Sequence, residues 1–239
     1  MIAEPVSGAR GAAGPLAVAV ATTGLAALAS RFLPEEHAAT GVGLWFLLIV
    51  YVLVLRSAES SEIRAHGLSL GGVFEPEPID VRRVLRAASV ACGWALAAAL
   101  VLLPPFWFGY VYWYDPSRSF VPAPAPALGS EVLGQMLGVA FPEEAFFRGY
   151  LQSALDRAWP PKVRLLGADL GLGLVVSSAI FAVGHYLTYP EPARLAVFFP
   201  SLVFGYLRAR TGGVGAPIVF HASCNLFASY LGRSYGLFP

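Results

Sequence analysis

The stretch PEEAFFRGY, from Pro142 to Tyr150, decides how this chain is interpreted, because it places three charged residues inside an otherwise apolar segment. Glu144 and Arg148 are four residues apart, so on a helix they share one face, in the favourable order of acid before base. Glu143 is rotated by about 100° from Glu144, and the same segment offers it no second basic residue. The spacing predicts a neutralised structural pair and an additional carboxylate of the kind that serves as a general base.

The composition around this stretch is that of a membrane protein. Of the 239 residues, 56% are hydrophobic and 13% are charged, whereas an average soluble domain is about 25% charged. The mean hydropathy of +0.63 points the same way, so lipid is the expected solvent for much of the chain. The net charge of +1, with no basic patch that contains interleaved aromatic residues, argues against a nucleic-acid partner.

We predict an all-α polytopic membrane protein, a bundle of about seven transmembrane helices around a polar intramembrane pocket. A span takes about 20 apolar residues, and the second and sixth segments are short. The first segment has an alternative interpretation as a signal peptide, but the spans that follow it directly favour a retained helix. The candidate segments are Leu16–Leu33, Gly43–Leu55, Val84–Phe108, Val132–Leu155, Leu166–Tyr186, Leu195–Leu207 and Val214–Leu231.

The basic residues are concentrated in alternate loops, at 56–86, 156–165 and 208–210. The positive-inside rule therefore predicts a cytoplasmic N-terminus and an external C-terminus, which agrees with an odd number of spans. We predict the inner membrane of a bacterium as the location. Three observations favour it: this layout, the absence of an organellar signal, and a composition rich in Ala, Gly and Pro.

Two further pairs of residues lie inside apolar segments at the same helical spacing. Phe181 and His185 share a face of the fifth segment, and His221 and Asn225 share a face of the seventh. An ionisable group in the bilayer costs about 2.5–3.5 kcal/mol and therefore tends to face the bundle interior. Together with Glu143 these groups can form one pocket, in which a carboxylate and an imidazole deprotonate water and polar N–H groups stabilise an oxyanion. Each pair alone is also compatible with simple interhelical hydrogen bonding.

The three motifs resemble the CPBP family of intramembrane proteases, also called the CAAX-protease or Abi family. Its signature is Glu-Glu-x-x-x-Arg, then Phe-x-x-x-His, then His-x-x-x-Asn or Asp, and the chain carries all three in this order. The resemblance covers about residues 130–232 and implies a catalytic core at 129–239. Residues 1–128 are expected to add N-terminal transmembrane helices and a basic cytoplasmic loop to the same integral membrane domain.

The resemblance implies a glutamate-dependent endopeptidase that cleaves a protein substrate near its membrane-anchored end, within the lipid bilayer. By carry-over, Glu143 activates the water with help from His185, and His221 and Asn225 form the oxyanion site. Glu144 and Arg148, together with Phe181, shape the pocket. No metal is expected, although zinc held by the glutamate and the histidines is the alternative.

The substrate class stays open at this stage. The myxosortases, which remove C-terminal transmembrane sorting signals from exported proteins, are the bacterial subfamily that this chain is expected to resemble, beside CAAX-like and bacteriocin processing. A non-catalytic membrane scaffold or bacteriocin-immunity protein would use the same polar residues only to hold helices together. A proton-coupled transporter is disfavoured, because the polar residues lie in the C-terminal half and no inverted repeat is visible.

Overall fold

The N-terminal half of the protein consists of three long helices and a short polar segment between the second and the third. The computed structural model describes residues 9–56, 58–125 and 127–237. Asp80 caps the N-terminus of the longest helix by accepting hydrogen bonds from the N–H groups of Arg82 and Arg83. The elements are α1 (Ala9–Ser30), α2 (Glu35–Val50) with a π-helical continuation (Tyr51–Leu55), α3 (Ser60–Ala65), a 3₁₀ turn (Leu70–Gly72) and α4 (Val81–Tyr114).

The C-terminal half is built around one helical run, residues 128–158, which we call the central helix. It contains π-helical turns at Leu128–Val132, Gly134–Ala140 and Ala145–Gln152, with α5 (Phe141–Glu144) between the last two and α6 (Ser153–Ala158) at its end. The elements that follow are β1 (Val163–Leu165), β2 (Ala168–Leu170), α7 (Leu172–Thr188), a 3₁₀ turn (Pro192–Val197), α8 (Phe198–Thr211) and α9 (Gly215–Ser234).

The predicted all-α class is confirmed except for one small hairpin. β1 and β2 pair antiparallel, with Arg164 opposite Asp169. The two residues between them, Leu166 and Gly167, both have positive φ angles, of 46° and 81°, as a tight two-residue hairpin turn requires. The predicted fifth segment, Leu166–Tyr186, is therefore wrong at its start, because the helix begins only at Leu172.

Three of the helices within the described residues are long and apolar enough to cross a bilayer. They are Arg10–Ser30, His37–Leu55 and Val81–Tyr114, and Leu172–Thr188 is a shorter apolar helix. The count of seven spans therefore stays a prediction. The central helix is interrupted by the charged motif, and α8 has only 14 residues. Neither is therefore among the helices that are long and apolar enough to cross a bilayer.

Outward-facing side chains of the longest helix are apolar, as expected for a surface in contact with lipid. On α4, Leu100 and Val101 are both 69% exposed, and Phe108 is 79% exposed. The buried core lies instead around the central helix, where Phe146 and Phe147 pack against Phe46 of α2, with ring centroids 5.0 and 5.3 Å apart. The N-terminal and C-terminal halves thus share one core.

Pro142 interrupts the central helix directly before the two glutamates. A proline has no N–H group, so the carbonyl of Gly138, four residues earlier, loses its regular helical donor. Helix α2 approaches this point closely, and a Cβ atom at Gly43 would lie 2.4 Å from the Gly138 oxygen. Glycine at position 43 is therefore required for α2 to pack against the part of the central helix that carries the motif.

The polar segment before α4 is organised around the buried carboxylate of Glu75. Arg83 donates to its Oε1 at 2.6 Å, and Arg64 donates to its Oε2 at 2.7 Å. The hydrogen bond from Arg83 is the main reason that the pKa of Glu75 falls to about 2, with Ser69 and the charge of Arg64 contributing in the same direction. This ion cluster joins α3 to the start of α4.

Candidate active site

Glu144 lies at the centre of the polar groups within the helix bundle. Its Oε1 accepts from Arg148 Nη1 at 3.2 Å and from His221 Nδ1 at 2.8 Å. The Glu144 and Arg148 side chains are both 0% exposed. The two glutamates and the arginine come from one helix, whereas His221 comes from α9, so Glu144 connects two of the three sequence motifs.

Arg148 is held by groups from α7 and α8 in addition to Glu144. Its Nη2 donates to the backbone oxygen of Ser201, at 3.1 Å, and also to the Ser201 hydroxyl. The guanidinium carbon lies 4.7 Å from the ring centroid of Phe181 and 5.2 Å from that of Phe204, within the range of a cation–π contact. Ser201 and Phe204 were not identified from the sequence, because a serine and a phenylalanine in an apolar segment carry no signal of their own.

Glu143 occupies a different environment from Glu144, although the two residues are adjacent. Its side chain is 13% exposed, and its Oε2 lies 3.8 Å from His221 Nε2. Within the part of the chain that the structure describes, this oxygen has no hydrogen-bond partner. Glu144 Oε2 likewise has no partner, but Glu144 Oε1 is held by two donors. Glu144 is therefore the fixed carboxylate, and Glu143 is the more exposed one.

The two histidine rings approach the glutamates with one nitrogen of each ring already engaged. His185 Nδ1 donates to the backbone oxygen of Phe181 at 3.0 Å, which leaves Nε2 as the nitrogen that accepts a proton. The Phe181 ring contacts both imidazoles, with centroid distances of 4.4 Å to His185 and 5.8 Å to His221. Phe204 stacks on His221 at 4.7 Å, so aromatic rings fix the orientation of the histidines.

Asn225 lies one helical turn beyond His221 on α9. Its Nδ2 donates to Gln135 Oε1 at 2.9 Å, across from α9 to the central helix. Gln135 was not singled out from the sequence, although it is the polar residue near the start of the fourth predicted span. The structure thus brings together residues from all three motifs, with Phe181 between the two histidines, and adds Ser201 and Gln135 to them.

The ligand set needed for the zinc alternative is not assembled by these side chains. Within the described ranges, no group of three His, Cys, Asp or Glu side chains is arranged to hold a metal ion. Glu143 and His221 approach each other, but His221 Nδ1 is engaged with Glu144. The metal-free mechanism therefore stays a prediction, with zinc as its alternative.

Comparison with known proteins identifies the part of the chain that contains this site. Residues 126–227 match the family model described as type II CAAX prenyl endopeptidase Rce1-like. No curated protein and no solved structure matches the chain. The matched segment includes Glu143, Arg148, His185, His221 and Asn225, the residues whose geometry is described above. Residues 126–227 are therefore similar to the CPBP or CAAX-protease family that the three sequence motifs predicted.

Proposed function

We propose that the protein is a glutamic-type intramembrane endopeptidase in which Glu143 activates the hydrolytic water. The supporting observation is the difference between two adjacent carboxylates. Glu144 is fully buried and its Oε1 accepts hydrogen bonds from Arg148 and His221, whereas Glu143 is 13% exposed and lies 3.8 Å from His221. A general base must be within reach of water and substrate, which favours the more exposed Glu143.

In the proposed reaction, Glu143 takes a proton from water while the water oxygen attacks the carbonyl carbon of the scissile peptide. The electron pair of the C=O bond moves to oxygen, where Asn225 Nδ2 donates a hydrogen bond to the developing oxyanion. His221 donates a second one from Nε2 in its imidazolium form, because its Nδ1–H is already bonded to Glu144. Collapse of this intermediate breaks the C–N bond, and the proton on Glu143 passes to the leaving amine. His185, whose Nδ1 is bound to the Phe181 carbonyl, assists proton transfer through Nε2.

The buried pair of Glu144 and Arg148 has a positioning role in this proposal. Glu144 accepts from His221 Nδ1 and so directs Nε2 of the same ring toward Glu143. Arg148 donates a hydrogen bond to Glu144 and pairs with its carboxylate, and Phe181 packs against both the guanidinium and the histidine rings. A carboxylate that accepts from Nδ1 in this way fixes the direction of the imidazole and stabilises its imidazolium form.

We further propose that the substrate is a protein cleaved near its membrane-anchored end, with a C-terminal sorting signal as the favoured case. The apolar exterior of α4 requires a lipid environment, and a substrate that shares the bilayer reaches the site by diffusion within it. The concentration of arginines at 56–86, 156–165 and 208–210 supports a bacterial inner membrane with the N-terminus in the cytoplasm.

The experiment that tests this function compares protein termini in membranes from cells that express the wild type, Glu143→Gln or the control Glu191→Gln. Glu191 lies exposed between α7 and α8. Terminal mass spectrometry should find uncleaved membrane-anchored proteins only with Glu143→Gln, and their cut sites would define the substrate class. Identical termini in all three samples, with equal expression, would refute the proposal and favour a scaffold or immunity protein.

A further inference from the structure

The amide of Asn225 presents an orientational problem to any oxyanion site. A side-chain amide has two N–H donors on one side and a carbonyl acceptor on the other. Rotation by about 180° exchanges the two sides, and the amide torsion itself has a broad, roughly two-fold preference. An oxyanion needs a hydrogen-bond donor. In the rotated orientation the amide would present its oxygen instead, which would repel the developing negative charge.

Gln135 resolves this ambiguity, because its Oε1 lies 2.9 Å from Asn225 Nδ2. An oxygen in this position accepts one N–H of Asn225 and would repel the Asn225 oxygen if the amide were rotated. With one hydrogen of Nδ2 engaged by Gln135, the second hydrogen is held in a fixed direction and remains available as a donor. With the Gln135 amide in this orientation, the hydrogen bond holds Asn225 in the orientation that an oxyanion site requires.

The position of Gln135 on the central helix strengthens this argument. Gln135 lies in the π-helical turn Gly134–Ala140, and Glu143 lies in α5, which follows that turn without a break. The same helix thus carries both the proposed base and the acceptor that orients the proposed oxyanion donor of α9. A shift of α9 against the central helix would alter two distances together, that from Asn225 to Gln135 and that from His221 to Glu143. The hydrogen bond to Gln135 therefore also maintains the position of the oxyanion site relative to the base.

We propose that Gln135 is a positioning residue for the reaction, which orients the Asn225 amide so that an N–H group faces the substrate carbonyl. This inference rests on the proposed function of Asn225. It differs from a role in helix association, because a hydrogen bond that only joins two membrane helices contributes to stability and does not affect the chemical step. The two roles predict different kinetics.

The test measures kcat and KM of the full-length protein in lipid nanodiscs, with a peptide that spans a cut site identified by terminal mass spectrometry. Gln135→Met keeps the size of the side chain and removes the acceptor, whereas Gln135→Glu keeps an acceptor oxygen. A misplaced catalytic group costs up to about 10²-fold, so Gln135→Met should lower kcat by roughly 10- to 100-fold with KM unchanged within about twofold. Gln135→Glu should recover most of the lost kcat.

A double-mutant cycle separates this inference from the proposed function. In the Asn225→Ala background, Gln135→Met should lower kcat by less than about twofold, because the amide that it orients is absent. A loss in that background as large as in the wild type would overturn the inference, as would a wild-type kcat for Gln135→Met when Asn225→Ala is impaired. A wild-type kcat for Asn225→Ala would instead refute the proposed oxyanion role, and the inference with it.

If Gln135→Met does not fold, Gln135→Asn shortens the reach to Asn225 without a change of charge and should show the same loss of kcat.

Discussion

Replacing Arg148 with methionine should strongly destabilise the protein, because it leaves the carboxylate of Glu144 buried without its cation. Both side chains are 0% exposed and lie 3.2 Å apart. Removal of one partner from a buried ion pair costs about 3–5 kcal/mol, since an uncompensated charge remains. Arg148→Met also removes both hydrogen bonds to Ser201 and the contact with the Phe181 ring. We therefore expect a loss in the free energy of unfolding of about 4 kcal/mol, near the middle of that range.

The control for this experiment is an exposed ion pair in the same protein. Arg164 and Asp169 lie 3.9 Å apart across the hairpin, with side chains 74% and 66% exposed. Pairs of this kind contribute at most about 1 kcal/mol, so Arg164→Met should leave the free energy of unfolding almost unchanged. Denaturant titration in detergent micelles, monitored by far-ultraviolet circular dichroism, measures both variants under the same conditions.

The double variant Glu144→Gln with Arg148→Met provides the decisive comparison. It removes both buried charges, so its loss of stability should be smaller than the sum of the two single losses by about 0.5–3 kcal/mol, the coupling typical of residues in contact. If Arg148→Met costs less than about 1 kcal/mol, or if the two substitutions are simply additive, the burial argument is wrong. The pair would then be solvated in the folded protein.

Further predictions concern the reaction and the polar segment before α4. Glu143→Gln should lower kcat by about 10²–10⁴-fold, the usual contribution of a general base, with an unchanged midpoint of thermal unfolding; an active variant would exclude Glu143 as the base. Asn225→Ala should lower kcat by about 10²–10³-fold with little change in KM, measured with the same peptide substrate. Treatment with a metal chelator should leave the rate of cleavage unchanged, and a loss that added zinc restores would establish the metal-dependent alternative. Because Glu75 has a pKa lowered from 4.5 to about 2, its contribution to stability is complete above pH 4.5 and is lost as the pH falls toward 2. Hydrogen exchange at 60–80 should increase in that window, and Glu75→Gln should abolish the dependence on pH.

Local features of the site follow from sequence spacing alone. The contact between Glu144 and Arg148 was predicted because residues four apart on a helix are neighbours, whatever the rest of the fold does. The same rule places Phe181 beside His185, and here the ring nitrogen bonds the backbone oxygen four residues earlier. Composition alone also predicted a helical membrane protein, because backbone groups in lipid must be satisfied within the helix.

Contacts between distant segments could not be predicted in this way. Arg148 and Ser201 are separated by 53 residues, and Gln135 and Asn225 by 90. Such pairs depend on the angles and rotations at which the helices pack. Helical spacing within one segment does not specify these. The hairpin at 163–170 was missed for a related reason, because its strands are only three residues long and their apolar residues resemble the start of a helix.

The sequence by itself determined that this is a helical membrane protein, and it determined which residue types are available for hydrolysis, because composition and helical spacing are local properties. Only the tertiary structure decided how the ring of His221 lies between the two glutamates. His221 approaches both, with Nδ1 at 2.8 Å from Glu144 and Nε2 at 3.8 Å from Glu143. The physical reason is that α9 packs against the central helix, and this packing brings His221 Nδ1 within hydrogen-bonding distance of Glu144 while Nε2 stays farther from Glu143.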